Sequence, residues 1–189
     1  MRSLWRSLML VAMVQSLCAV GADKYECVAA PRPPKLPLTR ASGRDYSGSR
    51  LRVQSLAGYA DTWKPTRKEI GSVPAGTTVE VLEDLIVVDA PDIVWVAGPI
   101  EGMNLKTGDT ILRYARLGEG SADLWAEGCW YKEASADFIT EPDGAGCGGS
   151  HCSAKVTKLG KQMWWFRVRM PNGKTGWMLS QSLDLSGGG

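Results

Sequence analysis

The 189-residue chain reads as an all-β protein. Three observations lead there. Short runs of β-branched and apolar residues are punctuated by Gly, Pro, Asn and Asp at intervals of about 8–12 residues. Residues 164–178, WWFRVRMPNGKTGWM, read as two strands around a tight turn. Beyond residue 22 no segment carries a long helical apolar period; Ser135–Ile139 supports one turn at most.

Residues 1–22 have the layout of a signal peptide. Arg2 and Arg6 precede the apolar run Leu8–Val14, and Val20-Gly21-Ala22 offers small residues for cleavage. The run is too short to span a membrane as a mature helix. Ser16-Leu17 before Cys18 does not resemble a lipid-attachment site. The expected product is soluble, starts near Asp23, and makes no stable membrane insertion after cleavage. An uncleaved anchor is the alternative. Cleavage removes two arginines and no acids, so the 22 basic residues fall to match the 20 acidic ones. A formally neutral chain lacks the basic excess that nucleic-acid binding requires.

Residues 23–50 form a Pro-rich arm. Pro31, Pro33, Pro34 and Pro37 among Arg and Lys favour extended chain, read as a tether or as a Pro-rich ligand segment. Arg50–Val53 alternates as a strand start. Pro74-Ala75-Gly76 is a turn, and Thr78–Leu82 continues as a strand with Val79 and Val81 on one face. Two further apolar runs, Leu85–Val88 and Ile93–Val96, flank Pro91-Asp92. The stretch Val73–Val79 returns as Leu105–Ile111, and Val94–Gly98 as Leu124–Gly128. Two echoes at nearly one displacement suggest a repeated β unit, with chance likeness between hairpins as the rival.

Cys18 leaves with the leader, and Cys27, Cys129, Cys147 and Cys152 remain. In an exported chain they suggest two disulfides. The favoured pairing is Cys147–Cys152, a short clip, which leaves Cys27–Cys129. His151 lies inside that clip. A thiol hydrolase would use it as base beside a free thiolate, and a metal site would join it to Cys147 and Cys152 with a fourth ligand from Cys129 or Cys27. An even cysteine count in an oxidising compartment favours neither, and no catalytic residue, metal or cofactor is expected. The acids Glu80, Glu83, Asp84, Asp89 and Asp92 nominate no facing carboxylate pair of the kind glycosidases use.

In the closing segment, alternation places Trp164, Phe166, Val168 and Met170 on one face and Trp165, Arg167 and Arg169 on the other. The first set is the expected core and the second the outside. Asn172-Gly173 predicts a type I′ turn, Gly176 a close approach or bulge, and Met178 a core position. Trp164, Trp95 and Trp125 are expected in the core, Trp130 outside.

These pieces resemble the bacterial SH3-like domain family: Leu51–Val53, Val73–Leu82, Trp165–Arg169, Asn172–Met178 and Leu183. The resemblance implies one or two small bent barrels, either in series over 51–100 and 101–185 or as one barrel with a long β insertion. It further implies an aromatic surface for peptides or cell-wall material, on which Trp165 and Trp177 would lie with Arg167 and Arg169 beside them. The rival is that the two rings merely cover the barrel end. The leading expectation is an exported, non-catalytic binding module for a protein segment or peptidoglycan, periplasmic or secreted. The alternative is an inhibitor or immunity-type protein whose Cys147–Cys152 loop blocks an enzyme.

Overall fold

A computed structural model describes residues 25–42, 46–117, 120–147 and 152–186. The leader residues 1–22 and His151 lie outside the described residues. In chain order the strands are β1 (Val28–Ala29), β2 (Leu38–Arg40), β3 (Arg50–Val53), β4 (Ala57–Ala60) and β5 (Glu69–Val73). Then come β6 (Thr78–Ala90), β7 (Asp92–Val96), β8 (Thr110–Arg116), β9 (Ser121–Ala126) and β10 (Cys129–Ser135). The last are β11 (Ile139–Thr140), β12 (Ala154–Lys158), β13 (Lys161–Arg169), β14 (Thr175–Leu179) and β15 (Leu183–Asp184). One turn of 3-10 helix, Ser180–Ser182, is the only helix among the described residues. The all-β expectation holds.

The strands make two curled half-barrel sheets. One has the order β1-β10-β9-β8-β7-β12-β11; the other has β15-β3-β6-β13-β14-β4-β5, with β2 added to β6. Sheet membership does not follow the series 51–100 then 101–185. Strand β6 pairs antiparallel with β13 along most of its length. The first sheet is therefore built largely from the chain between them, 92–158. The physical reason is the length of the two closing strands. β6 runs for 13 residues and β13 for 9, and each would expose a long unpaired edge without the other.

The crossover between sheets is tight. Pro91 alone separates β6 from β7, and Leu159-Gly160 separates β12 from β13. A Cβ at Gly160 would stand 2.2 Å from the Ala90 carbonyl oxygen and 2.4 Å from the Pro91 carbonyl carbon. Both are backbone atoms and have no easy escape. Gly160→Ala is expected to destabilise the protein by about 3 kcal/mol, at the upper end of ordinary overpacking. Gly98 has open space around the corresponding position, so Gly98→Ala should stay within about 0.5 kcal/mol. Urea unfolding of the two variants checks both values.

Each sheet closes over its own core. Leu51, Val53, Val79, Val81, Phe166, Val168, Met170 and Met178 fill one; Val94, Val96, Ile111, Leu124, Tyr131 and Ile139 fill the other. The inward set on β13 is thus read correctly from Phe166 to Met170, and so is Met178. A third cluster lies between the sheets. Ile86 and Val88 of β6 meet Tyr114 and Ala115 of β8, and half-buried Leu38, Trp125, Trp130 and Trp164 pack around them.

Four tryptophan expectations need correction. Trp95 is exposed, with the Lys155 ammonium over its ring at 5.2 Å. It points outward because Val94 and Val96 take the inner face of β7. Trp125 and Trp164 are only half-buried. Each turns its polar edge to a partner: Trp125 Nε1 donates to the Ala30 carbonyl at 2.8 Å, and Trp164 Nε1 donates to Asp84 Oδ2 at 2.9 Å. Trp130, expected outside, is half-buried in the inter-sheet cluster beside Tyr114.

The arm is not a free tether. Val28-Ala29 pairs with Trp130 and Cys129, and Leu38–Arg40 pairs with Val88–Ile86. Its prolines occupy the unpaired crossing, where a missing N–H costs nothing. Arg40 reaches from β2 to the buried carboxylate of Asp123 at 2.8 Å and also contacts Glu133. Cys27–Cys129 and Cys147–Cys152 are both disulfide-bonded.

The closing hairpin keeps its position but not its turn type. Gly173 has φ 79°, whereas Asn172 is not among the positive-φ residues. Gly173 N–H donates to Met170 O at 2.9 Å, and Met170 N–H donates to Lys174 O at 2.9 Å. This is a type I turn with a glycine bulge, because Pro171 supplies the negative φ that starts it. Two positive-φ turn residues occur instead at Glu127-Gly128, φ 47° and 81°, between β9 and β10.

One of the two sequence echoes is a shared structure. Gly76 N–H donates to Val53 O at 2.8 Å, and Val53 N–H donates to Thr77 O at 2.9 Å. In the other sheet, Gly108 N–H donates to Val96 O at 2.9 Å, and Val96 N–H donates to Asp109 O at 3.0 Å. The same glycine turn opens β6 and β8. The second echo joins unlike places: Gly98 leads into a loop, Gly128 into a hairpin.

Candidate functional site

The outward face of the closing hairpin gathers the predicted residues. Opposed residues on paired strands share a face. Trp165 opposes Leu179, Arg167 opposes Trp177, and Arg169 opposes Thr175. Alternation therefore placed all four on the correct side.

Their surroundings differ from the expectation. Strand β4 meets β14 at one register pair only, Trp177 with Ala60. Gln54 N–H then donates to the Ser182 carbonyl at 3.0 Å, beyond the end of β14. Between these two ties the sheet stands open. The opening is a groove of ≈ 680 Å³ lined by Leu56, Tyr59, Arg67, Glu69, Trp165 and Trp177, with Gln181 at one end.

Tyr59 is held in place by two glycines. A Cβ at Gly176 would lie 2.4 Å from its ring, and one at Gly71 would lie 2.6 Å from its hydroxyl. The close approach expected at Gly176 is thus an aromatic ring of β4.

Trp165 was expected in contact with water, and it is buried, 4% exposed. The guanidinium of Arg67 lies 5.1 Å from its ring centroid and covers it. Its Nε1 is shut away from solvent and has no hydrogen-bond partner among the described residues. A buried indole donor without an acceptor costs free energy, of the order of 1–3 kcal/mol. Trp177 is half-buried.

Arg167 and Arg169 do not line the groove. Arg167 Nη1 pairs with Glu83 Oε1 at 3.0 Å, and Arg169 Nη1 pairs with Glu80 Oε2 at 2.9 Å. Both pairs are solvent-exposed and contribute little to stability. The groove has a different cation, Arg67, and an acid, Glu69. The Glu69 carboxyl carbon lies 2.7 Å from where a Gly58 Cβ would be. Any side chain at 58 would push that carboxylate out of the groove. Among the described residues, neither Arg67 nor Glu69 makes an ion pair.

Sequence reasoning missed Tyr59, Arg67 and Glu69. The available signal was spacing: Gly58, Gly71 and Gly176 surround Tyr59, but each belongs to a different strand. Residues 61–68 carry no alternation that would orient Arg67.

The four cysteine sulfurs are spent in disulfides, which leaves none of them as a thiolate nucleophile or metal ligand. Two other acids report on their settings. Burial raises the Asp123 carboxyl above its ordinary value, although Glu133 N–H and Arg40 act against that. Glu141 is held below its ordinary value by its hydrogen bonds to Arg113.

Fold and site define an all-β, disulfide-bonded protein of two curled half-barrel sheets, with an aromatic groove where one sheet opens. Among the described residues, no helix is long and apolar enough to cross a membrane. Comparison with models of known families, with curated proteins and with solved structures finds no match.

Proposed function

We propose that this protein is an exported, non-catalytic binding module of SH3-like type that holds a protein segment or peptidoglycan in the Trp165–Trp177 groove. One observation carries the reading. The groove puts two indoles at a break in the sheet, and one indole keeps a buried donor with no acceptor among the described residues. Aromatic anchors in a partly desolvated pocket supply most of the binding energy at interfaces. Two disulfides and the leader-like start support export to the periplasm or beyond. The strand order β3, β4-β5 excursion, β6, β13, β14, 3-10 turn and β15 returning to β3 is compatible with an SH3-like barrel carrying an insertion.

Trp177→Ala tests the site. Trp177 is half-exposed, so the fold should survive, as circular dichroism will show. Capture of partners from an envelope extract or of sedimented peptidoglycan should weaken at least about thirtyfold, the scale of a binding hot spot. Undiminished capture by this variant sinks the reading. Trp165→Ala is the wrong variant, because emptying a buried tryptophan site costs about 3–5 kcal/mol. Trp165→Phe keeps the ring and removes only the donor. Cys147→Ser with Cys152→Ser should leave capture intact; its loss would favour an inhibitor that uses the 147–152 loop.

A further inference from the structure

Resting on the groove reading above, we propose that the occupant is the proline-rich crossing of a second copy of this chain. Between β1 and β2 the segment Pro31-Arg32-Pro33-Pro34-Lys35-Leu36-Pro37 runs without strand pairing, and all but Pro34 are exposed. Its ends are fixed. Ala30 N–H donates to Gly128 O at 2.7 Å, the Ala30 carbonyl accepts from Trp125 Nε1, and Leu38 pairs with Val88. A crossing anchored at both ends and stiffened by four prolines loses little entropy when it binds.

Its chemistry matches what the groove lacks. Proline offers flat apolar rings for Trp165 and Trp177 to stack on. Prolyl carbonyls are acceptors, and the buried Trp165 Nε1 is a donor with none among the described residues. Arg32 and Lys35 make no ion pair among the described residues, and the Glu69 carboxylate has no cation. Aromatic-lined grooves take extended Pro-rich segments because such chain is already stiff before it binds. Docking requires the Arg67 guanidinium to swing off the Trp165 ring, which frees that face for an incoming proline.

The test uses the purified protein and a synthetic peptide of residues 30–38, APRPPKLPL. The peptide should bind saturably, read by tryptophan fluorescence, and the protein should self-associate with concentration in sedimentation velocity. Pro33→Ala with Pro34→Ala should weaken self-association at least tenfold and leave peptide binding unchanged. Trp177→Ala should lose both. Mixed together, these two variants should form a one-to-one complex, each supplying the half the other lacks. Glu69→Gln, an exposed change, should weaken peptide binding about two- to fivefold and flatten its salt dependence.

The inference is overturned if the protein stays monomeric across the accessible concentration range. Self-association that survives the double proline variant overturns it too. So does a groove that binds soluble peptidoglycan fragments and ignores the peptide. If the peptide fails while Trp177→Ala still abolishes envelope capture, this inference falls alone. If Trp177→Ala changes nothing in either assay, the groove reading falls with it.

Discussion

Arg113→Met should destabilise the protein by about 3–5 kcal/mol, the usual result of removing one partner from a buried ion pair. Arg113 is 3% exposed and sits at the crossover between the sheets. Its Nε donates to Asp92 Oδ2 at 2.8 Å, and its two terminal nitrogens donate to the Glu141 carboxylate at 2.5 and 2.9 Å. Asp92 in turn accepts the Gly160 N–H at 2.7 Å. With Arg113 gone, Asp92 is a buried charge facing an apolar side chain, held among the described residues by the Gly160 N–H and a distant Arg116 at 3.8 Å. Urea unfolding with one consistent slope measures the loss; a cost below about 1 kcal/mol would show that water reaches the site.

The same cluster has a pH signature. Arg113 holds Glu141 below its ordinary value of 4.5. A depressed carboxylate contributes stability above its unfolded pKa and loses it as pH falls through the folded one. The contribution is therefore complete above about pH 5 and fades in more acidic solution. Asp123 works in the opposite sense. Burial raises its folded value, so its contribution is present in acid and is lost as pH rises. Glu141→Gln should flatten the acid limb of the stability curve. Glu141 is partly exposed, so the loss at neutral pH should be modest, about 1 kcal/mol.

The second large effect belongs to the disulfide between Cys27 and Cys129. It closes 102 residues of chain, a span for which loop entropy predicts about 4–5 kcal/mol. Cys27→Ser with Cys129→Ser should cost about 2–5 kcal/mol and release β1 from β10. The Trp125 bond to Ala30 would go with it and change the tryptophan emission. Cys147–Cys152 spans only 5 residues, and the same relation gives it about 2 kcal/mol. Thermal unfolding of the two double variants should rank them in that order. The reverse ranking would mean that β1 holds without its bridge.

Much of the architecture was legible because it depends on local rules. Alternation fixed the inward face of β13 from Phe166 onward and the outward position of Trp177 and both arginines. Turn chemistry located the glycine turns that open β6 and β8. Pairing was harder, because it depends on contacts far apart in sequence. Nothing near Leu82 announces that its strand runs on to Ala90 and takes β13 as neighbour. Proline composition suggested a tether at 23–50, whereas two and three flanking residues at either end find a sheet. Trp165 failed for a different reason. Its direction follows from strand parity, but its burial comes from Arg67, which arrives on a loop with no period. The groove itself is the space left where β4 and β14 part after one pair, and no single segment encodes a gap.

Strand β6 leaves the ribosome well before β13, with nearly the whole of the other sheet synthesised between them. A nascent chain therefore carries one unpaired edge of β6, from Glu80 to Ala90, until β13 has been made. Such an edge invites wrong partners. Cutting the gene anywhere between the β6 and β13 codons leaves the sheet that holds those two strands incomplete in both fragments.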